Sequence, residues 1–479
     1  MLTHLRIRNF KSWQDTGRVR LAPITVFFGT NSSGKSSLGQ ILLVLKQTAE
    51  STDRSQVLQT GDDNTPANVG DYSDLIHRHD ESRDLAFEIG WQQERPLEVE
   101  DAKDPEVVHS SSAVTFDCEI FHPPSGRERM RVRRFAYSFG DDAEAAGFSA
   151  GMEPDPRRAS RYRLDFKGFT PVHNRGRAWE LPPPSRFYGF PDEAVAYFQN
   201  TDFLPDLSLA LERMLATVSY LGPLRVNPKR TYNWVGGAPP DVGIAGEQTI
   251  QAILGADDRR LNLKHRQRLR PFPNLIAQQL QALGLIESFR VVAIAKGRPE
   301  HEVRVKVSGG SDEVLLTDIG FGLSQVLPVL VQSFYAPPNS TILMEQPELH
   351  LHPRVQKELA DFFIAAAGAR QETTQGKSIE RRTQFLIESH SEHFLRRLQR
   401  RIAEGGVTPD QVALYFCEME GGRSTLKELD VDLFGNIHNW PKDFFGDPME
   451  DVAAQAEARL EREIEVASDG TQARASSAG

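Results

Sequence analysis

The chain has 479 residues, 39% hydrophobic and 25% charged, with a net charge of −10. This is the composition of a globular protein of two or three domains, and the negative balance excludes indiscriminate coating of nucleic acid while leaving a local basic groove open. No apolar run reaches the roughly eighteen residues of a membrane span. MLTHLRIRNF lacks an apolar signal-peptide core, and Cys118 and Cys417 stand far apart in apolar strand-like runs. Neither a disulfide framework nor a cysteine zinc site is therefore expected, and the compartment reads as cytoplasm.

Residues 2–28 read as two or three strands, with Leu5 and Ile7 alternating with polar neighbours and LAPITVFF following a turn at Gly17. Residues 24–28 lead as a buried strand into 29–37, GTNSSGKSS, and SLGQILLVLK leads out as an apolar-faced helix. The stretch fits G-x-x-x-x-G-K-[ST], with Gly29, Gly34, Lys35 and Ser36 in the fixed places. Thr30, Asn31, Ser32, Ser33 and Ser37 complete the loop. Glycines let successive backbone N–H groups turn toward phosphate oxygens, and the helix N-terminus adds partial positive charge. In such a cradle Lys35 reaches the β- and γ-phosphates of ATP, and the Ser36 hydroxyl takes a place on Mg²⁺.

Residues 51–68 are polar and turn-rich. From about residue 84, LAFEIGW, AVTFDCEIF, RMRVRRFAYSF and SRYRLDF read as strands of an antiparallel insertion, with 141–161 as an exposed loop. Three prolines at 182–184 precede a helical stretch at 192–218, and YLGPLRVNPKRTYNW and VGIAGEQTIQAIL follow. Residues 259–270, RRLNLKHRQRLR, read either as a solvated helix face or as a contact for a phosphate backbone or acidic partner. A helix at 274–285 and strands in VRVKVSG and VLLTD lead to IGFGLSQVLPVLVQSF, a glycine-flanked turn opening an apolar helix. STILMEQPELHLHP is a buried strand running into carboxylates. A helix, the strand QFLIESHSEH, the helix FLRRLQRRIAEG and the strand VALYFCEME follow. The chain ends in a turn, an amphipathic helix and a disordered stretch at 470–479. Strands alternating with helices indicate a parallel-rich α/β core.

A phosphate-loop enzyme needs a second strand carrying an acid toward Mg²⁺, and Glu345 at the end of ILME supplies it. Gln346 and Glu348 are candidates to orient the attacking water. His350, His352, His390 and His393 form two close pairs with zinc-like spacing, but their places after apolar strands fit phosphate-side sensing better. Nothing in the sequence looks like the acceptor pocket of a small-molecule kinase.

Together LRIRNFKSW, GTNSSGKSS, GFGLSQ, MEQPELHLHP and ESHSEH resemble, in their order, the motifs of ABC-type ATPase heads. The nearest likeness is to the RecF/SMC-like group, including the ATPase part of the overcoming-lysogenisation-defect nucleases. NWPKDFF and the acidic helix after it look like the uncharacterised C-terminal domain of one bacterial branch. The resemblance implies an α/β P-loop ATPase head with a parallel-rich mixed sheet, a β-rich and helical insertion, and a short helical C-terminal tail. The implied divisions are 1–95, 96–260, 261–430 and 431–479. It implies a homodimer that sandwiches two ATP–Mg²⁺. Gly320, Gly322, Ser324 and Gln325 would form the signature turn, Glu345 the Walker B acid and His390 the switch histidine, and residues 349–353 the loop crossing the dimer. Relatives usually carry the catalytic glutamate where this chain has Gln346, which orients water but cannot take its proton. Either Glu348 is the base or hydrolysis is slow. The glutamine loop of the family has no assigned place. No nuclease module is apparent, so DNA or a partner effector, a nuclease or another protein, would complete the function, in DNA repair or defence against phage.

Overall fold

The computed structural model describes residues 1–101, 104–123, 129–156, 158–174, 176, 180–263, 267–310, 312–441, 455 and 459. The chain divides into two units, Met1–Ile437 and His438–Gly479. Of the C-terminal amphipathic helix expected from the sequence only residues 455 and 459 are described, both helical, and the disordered end, like residues 264–266 of the basic stretch, lies outside the described residues.

Strands β1 (Leu2–Phe10), β2 (Trp13–Asp15), β3 (Val19–Arg20) and β4 (Ile24–Gly29) open the first unit. β5 (Leu85–Asp101), β6 (Asp104–Phe121), β7 (Arg131–Phe139), β8 (Ser149–Asp155) and β9 (Arg158–Lys167) follow. β1–β3 and β5–β9 make an eight-stranded antiparallel sheet, ordered β2-β1-β5-β6-β7-β8-β9 with β3 beside β1. β5 thus runs across the division expected at 95/96 and ties the insertion to the first strand. The loop expected at 141–161 is corrected in the same sheet. Residues 149–155 and 158–167 are the paired strands β8 and β9, with Ala150 and Met152 fully buried. Two apolar side chains on one face of a short strand are enough to specify it once a neighbouring strand supplies the partner. Phe87, Phe116, Tyr137 and Phe187 pack there ring on ring, at centroid separations such as 4.8 Å for Phe116–Tyr137.

The second sheet is the parallel core. Its strands are β4, β10 (Val218–Leu221), β11 (Thr341–Glu345), β12 (Gln384–Glu388), β13 (Val412–Glu420) and β14 (Arg423–Glu428). The order is β10-β11-β12-β4-β13-β14, parallel throughout except for β14. β4 is buried along nearly its whole length, as its unbroken apolar sequence demands. β10 comes from within the stretch read as an insertion and forms the edge of this core.

Helix α1 (Lys35–Glu50) leaves β4 and buries Leu38, Ile41, Leu42 and Leu45, an i, i+3, i+4, i+7 stripe whose side chains contribute about 1.5–3 kcal/mol each. Its C-terminal carbonyls are held by Arg186, which donates to Ala49 O at 2.7 Å. α2 (Leu204–Ala216) packs beside α1. α3 (Phe321–Tyr335), α4 (Pro353–Ala367) and α5 (Glu392–Ala403) follow the signature-like turn, the acidic loop and β12. The basic stretch at 259–270 is not a helix where it is described: Arg260–Asn262 and Arg270–Pro271 pair as antiparallel strands. Among the described residues no helix is long and apolar enough to cross a membrane.

Candidate nucleotide site

The parallel strands end together, and their C-terminal ends carry the site, as the open α/β topology favours. The loop from Gly29 to Ser37 turns from β4 into α1. Gly29 has φ +143°, and a Cβ there would stand 2.1 Å from the Cys417 carbonyl oxygen of the adjacent strand. Gly34 has φ +88°, and a Cβ would meet the Ser12 and Ser424 hydroxyls at 2.6 Å. Neither place admits another residue without displacing its neighbours. The Trp13 indole N–H buttresses the turn, donating to Ser37 Oγ at 2.9 Å and Gly34 O at 3.1 Å. Thr30, Asn31 and Ser32 form an exposed rim, whereas Ser33 is buried. Lys35 Nζ lies inside the loop, donating to Thr30 O at 2.6 Å and Gly29 O at 3.1 Å. Burial lowers its pKa, opposed by the nearby Glu388 carboxylate.

Facing the loop are two carboxylates on neighbouring strands. Glu345 closes β11, Glu388 closes β12, and the two are register partners. Ser36 Oγ donates to Glu388 Oε2 at 2.6 Å, while Glu345 Oε1 accepts from the Tyr220 hydroxyl on β10 at 2.9 Å. Burial and then the charge of Glu388 push the Glu345 carboxyl up to about 7, against the Tyr220 hydrogen bond. Gln346 takes φ +45°, and its N–H donates to Glu388 O at 2.9 Å. Arg225, in the loop after β10, donates to Glu345 O at 3.2 Å and Gln346 O at 3.5 Å. Glu348 is only 6% exposed, and its Oε1 accepts from Ser389 Oγ at 2.8 Å and His390 N–H at 2.7 Å. Burial pushes the Glu348 carboxyl up, partly offset by these bonds and by Arg225. Burial and then the charge of Lys35 push the His390 pKa down, favouring the neutral ring.

Residues 24–396 match the family model AAA_21, described as "AAA domain, putative AbiEii toxin, Type IV TA system". The chain belongs to the AAA_21 family. Residues 407–455 match DUF3696, a protein of unknown function, in keeping with the uncharacterised C-terminal domain expected from NWPKDFF. No curated protein matches the chain in sequence. Three SMC heads are among its structural matches. An SMC head bound to the C-winged helix domain of ScpA is 14% identical over 90% of this chain and 98% of the other, with a TM-score of 0.40. The SMC head domain from Thermotoga maritima is 10% identical over 90% and 99%, with a TM-score of 0.39. The Smc head with an extended coiled coil, bound to a ScpA C-terminal domain derived from Pyrococcus furiosus, is 12% identical over 90% and 96%, with a TM-score of 0.36.

Within this AAA_21 site the fold brings together the phosphate loop, Glu345, Gln346, Glu348 and His390. Gly320, Gly322, Ser324 and Gln325 lie at the start of α3, where a Cβ on Gly322 would be 3.5 Å from His350 O at the far end of the acidic turn. Ser324 Oγ donates to Phe321 O at 2.8 Å and Gln325 is buried, while Phe321 itself is 61% exposed. His352 caps α4 by accepting from Arg354 N–H at 3.2 Å. No group of three or more His, Cys, Asp or Glu among the described residues converges on a metal position. Sequence reasoning missed Tyr220, Arg225 and Glu388. YLGPLR and ESHSEH were visible as segments, but only strand adjacency singles out which of their residues face the phosphate loop. The oxygen donors Ser36, Glu345 and Glu388 fit Mg²⁺, which is bound through one or two carboxylates together with nucleotide phosphates.

Proposed function

We propose that the protein binds and hydrolyses ATP with Mg²⁺ and works as a nucleotide-driven homodimer switch, coupled to DNA or to a partner effector in DNA repair or anti-phage defence in the cytoplasm. The observation that carries this reading is the meeting of Ser36, at the start of α1, with carboxylates at the ends of two adjacent parallel strands. Residues 29–37 would hold the phosphates, and Ser36 and Glu345 the cation. Bound Mg²⁺ neutralises charge developing on the phosphates. Lys35 donates to phosphate oxygens once freed from the loop carbonyls, and His390 offers a ring N–H toward the same side. Gln346 orients water, and Glu348 holds the Ser389–His390 turn that presents the histidine. The homodimer follows from Gly320, Gly322 and Ser324, which need the nucleotide of a second copy to act on. The exposed Phe321 ring beside them supports that face as a contact.

A second reading, a nucleotide-gated binding module with negligible turnover, is favoured by Gln346 and by the engagement of Glu348 Oε1 in holding the switch turn. Phosphate release from ATP–Mg²⁺, wild type beside Lys35→Ala, with and without double-stranded DNA, separates the two. Turnover abolished by Lys35→Ala supports the ATPase, and stimulation by DNA that weakens as salt rises points to nucleic acid. Nucleotide binding without turnover supports the gated module. Absence of nucleotide binding refutes both.

A further inference from the structure

Glu388 opens the ESHSEH motif, whose histidine alone drew a role from the sequence, yet it is the carboxylate that the Ser36 hydroxyl meets. A hydroxyl that ligates a cation uses an oxygen lone pair and gives its proton to a neighbouring carboxylate. Two adjacent ligands of an octahedral Mg²⁺, each at roughly 2.0–2.1 Å from the ion, stand roughly 2.9 Å apart. Ser36 Oγ and Glu388 Oε2 are 2.6 Å apart, a charge-assisted hydrogen bond that holds both oxygens within the span of one such edge. Glu345 is committed differently, since its Oε1 accepts from Tyr220 at 2.9 Å. The Glu388 backbone is fixed from two sides. It is the register partner of Glu345 and of Phe27 in the flanking strands, and its carbonyl accepts from Gln346 N–H.

We propose that Glu388, paired with Ser36, is a direct ligand of the divalent cation, and that Glu345 borders the cation from the Tyr220 side. This rests on the nucleotide reading above and reassigns the principal acid from β11 to β12. All donors are oxygens, so the ion is hard, Mg²⁺ or Mn²⁺.

The test titrates Mn²⁺ into the ADP-loaded full chain and follows the loss of the free Mn²⁺ EPR signal. Wild type binds one equivalent. Glu388→Gln raises the Kd for Mn²⁺ at least tenfold, and Glu345→Gln raises it less. Glu388→Asp keeps the charge but shortens the reach, and raises the Kd at least threefold. It decides the matter should Glu388→Gln fail to fold. The proposal is overturned if the folded Glu388 variant binds Mn²⁺ within twofold of wild type, or if Glu345→Gln is the more damaging change. Binding of a fluorescent ADP in EDTA, with Lys35→Ala as control, is read in parallel. If wild type binds no ADP, the nucleotide reading fails, and the cation ligand is then judged from Mn²⁺ titration of the nucleotide-free protein by the same criteria.

Discussion

Asp361 on α4 clasps α5. It accepts from Arg397 Nε at 3.0 Å and from Arg401 Nε at 2.6 Å, with its side chain 25% exposed. α4 follows the acidic loop and α5 follows His390, so the clasp sets how the two phosphate-side turns stand to each other. Although burial opposes it, hydrogen bonding to Arg401 and Arg397 holds the Asp361 carboxyl down to about 2, against an ordinary 3.8. That drop corresponds to about 2.4 kcal/mol at roughly 1.36 kcal/mol per pKa unit, an upper value because the arginines are partly solvated. A carboxyl whose folded pKa lies below its unfolded one contributes its full stability above the unfolded value and loses it as pH falls through the folded one. The contribution is thus whole above about pH 5, about 1.3 kcal/mol at pH 3, and falls away below pH 2. At roughly 2.1 cal/mol/K per residue, the 437 residues of the first unit unfold with an entropy of about 0.9 kcal/mol/K. Asp361→Asn should therefore lower Tm by about 2–3 °C at pH 7, and by about half that at pH 3. Differential scanning calorimetry across this range measures both. A variant that melts within 0.5 °C of wild type at pH 7, or a gap that does not narrow with acid, refutes the reasoning.

Arg225→Met removes the cation facing buried Glu348 and leaves two carbonyls of the acidic loop without their donor. It should cost about 3–5 kcal/mol, read as a fall in Tm, and Arg225→Lys should not restore the wild-type Tm because one ammonium cannot span both carbonyls. Gly34→Ala places a Cβ 2.6 Å from two hydroxyls at φ +88°, and should cut nucleotide affinity at least tenfold in a fluorescent-nucleotide titration. Trp13→Phe loses the indole donor to Gly34 O and Ser37 Oγ, a cost of about 1–3 kcal/mol, checked by melting temperature and nucleotide affinity together. Cys118 and Cys417 are buried thiols with pKa values pushed up by that burial. Ellman titration should find no reactive thiol in the native protein and two after denaturation.

The phosphate loop was legible because its chemistry is local. Two glycines, a lysine and a serine at fixed spacing, between a buried strand and an apolar-striped helix, dictate the turn whatever surrounds it. Glu345 was legible for the same reason, as an acid closing an apolar run. The basic stretch at 259–270 was ambiguous because charge density gives no period. Its described residues pair as strands, Leu261 with Arg270 across a local turn and with Gln371, which is distant along the chain. β8 was illegible because few apolar residues mark it and its stability comes from the sheet it joins, whereas SRYRLDF already marked most of β9.

By itself the sequence determined the class of fold, the glycine-flanked turn at residues 29–37 and the acid that closes β11, since each rests on neighbours within a few residues. The tertiary structure alone decided which side chains meet at that turn. β10, β11, β12 and β4 are separated by scores of residues, and only their parallel pairing puts Tyr220 on Glu345, Arg225 on the acidic loop and Glu388 on Ser36. Register between distant strands is set by the packing of their buried faces, and no local spacing encodes it.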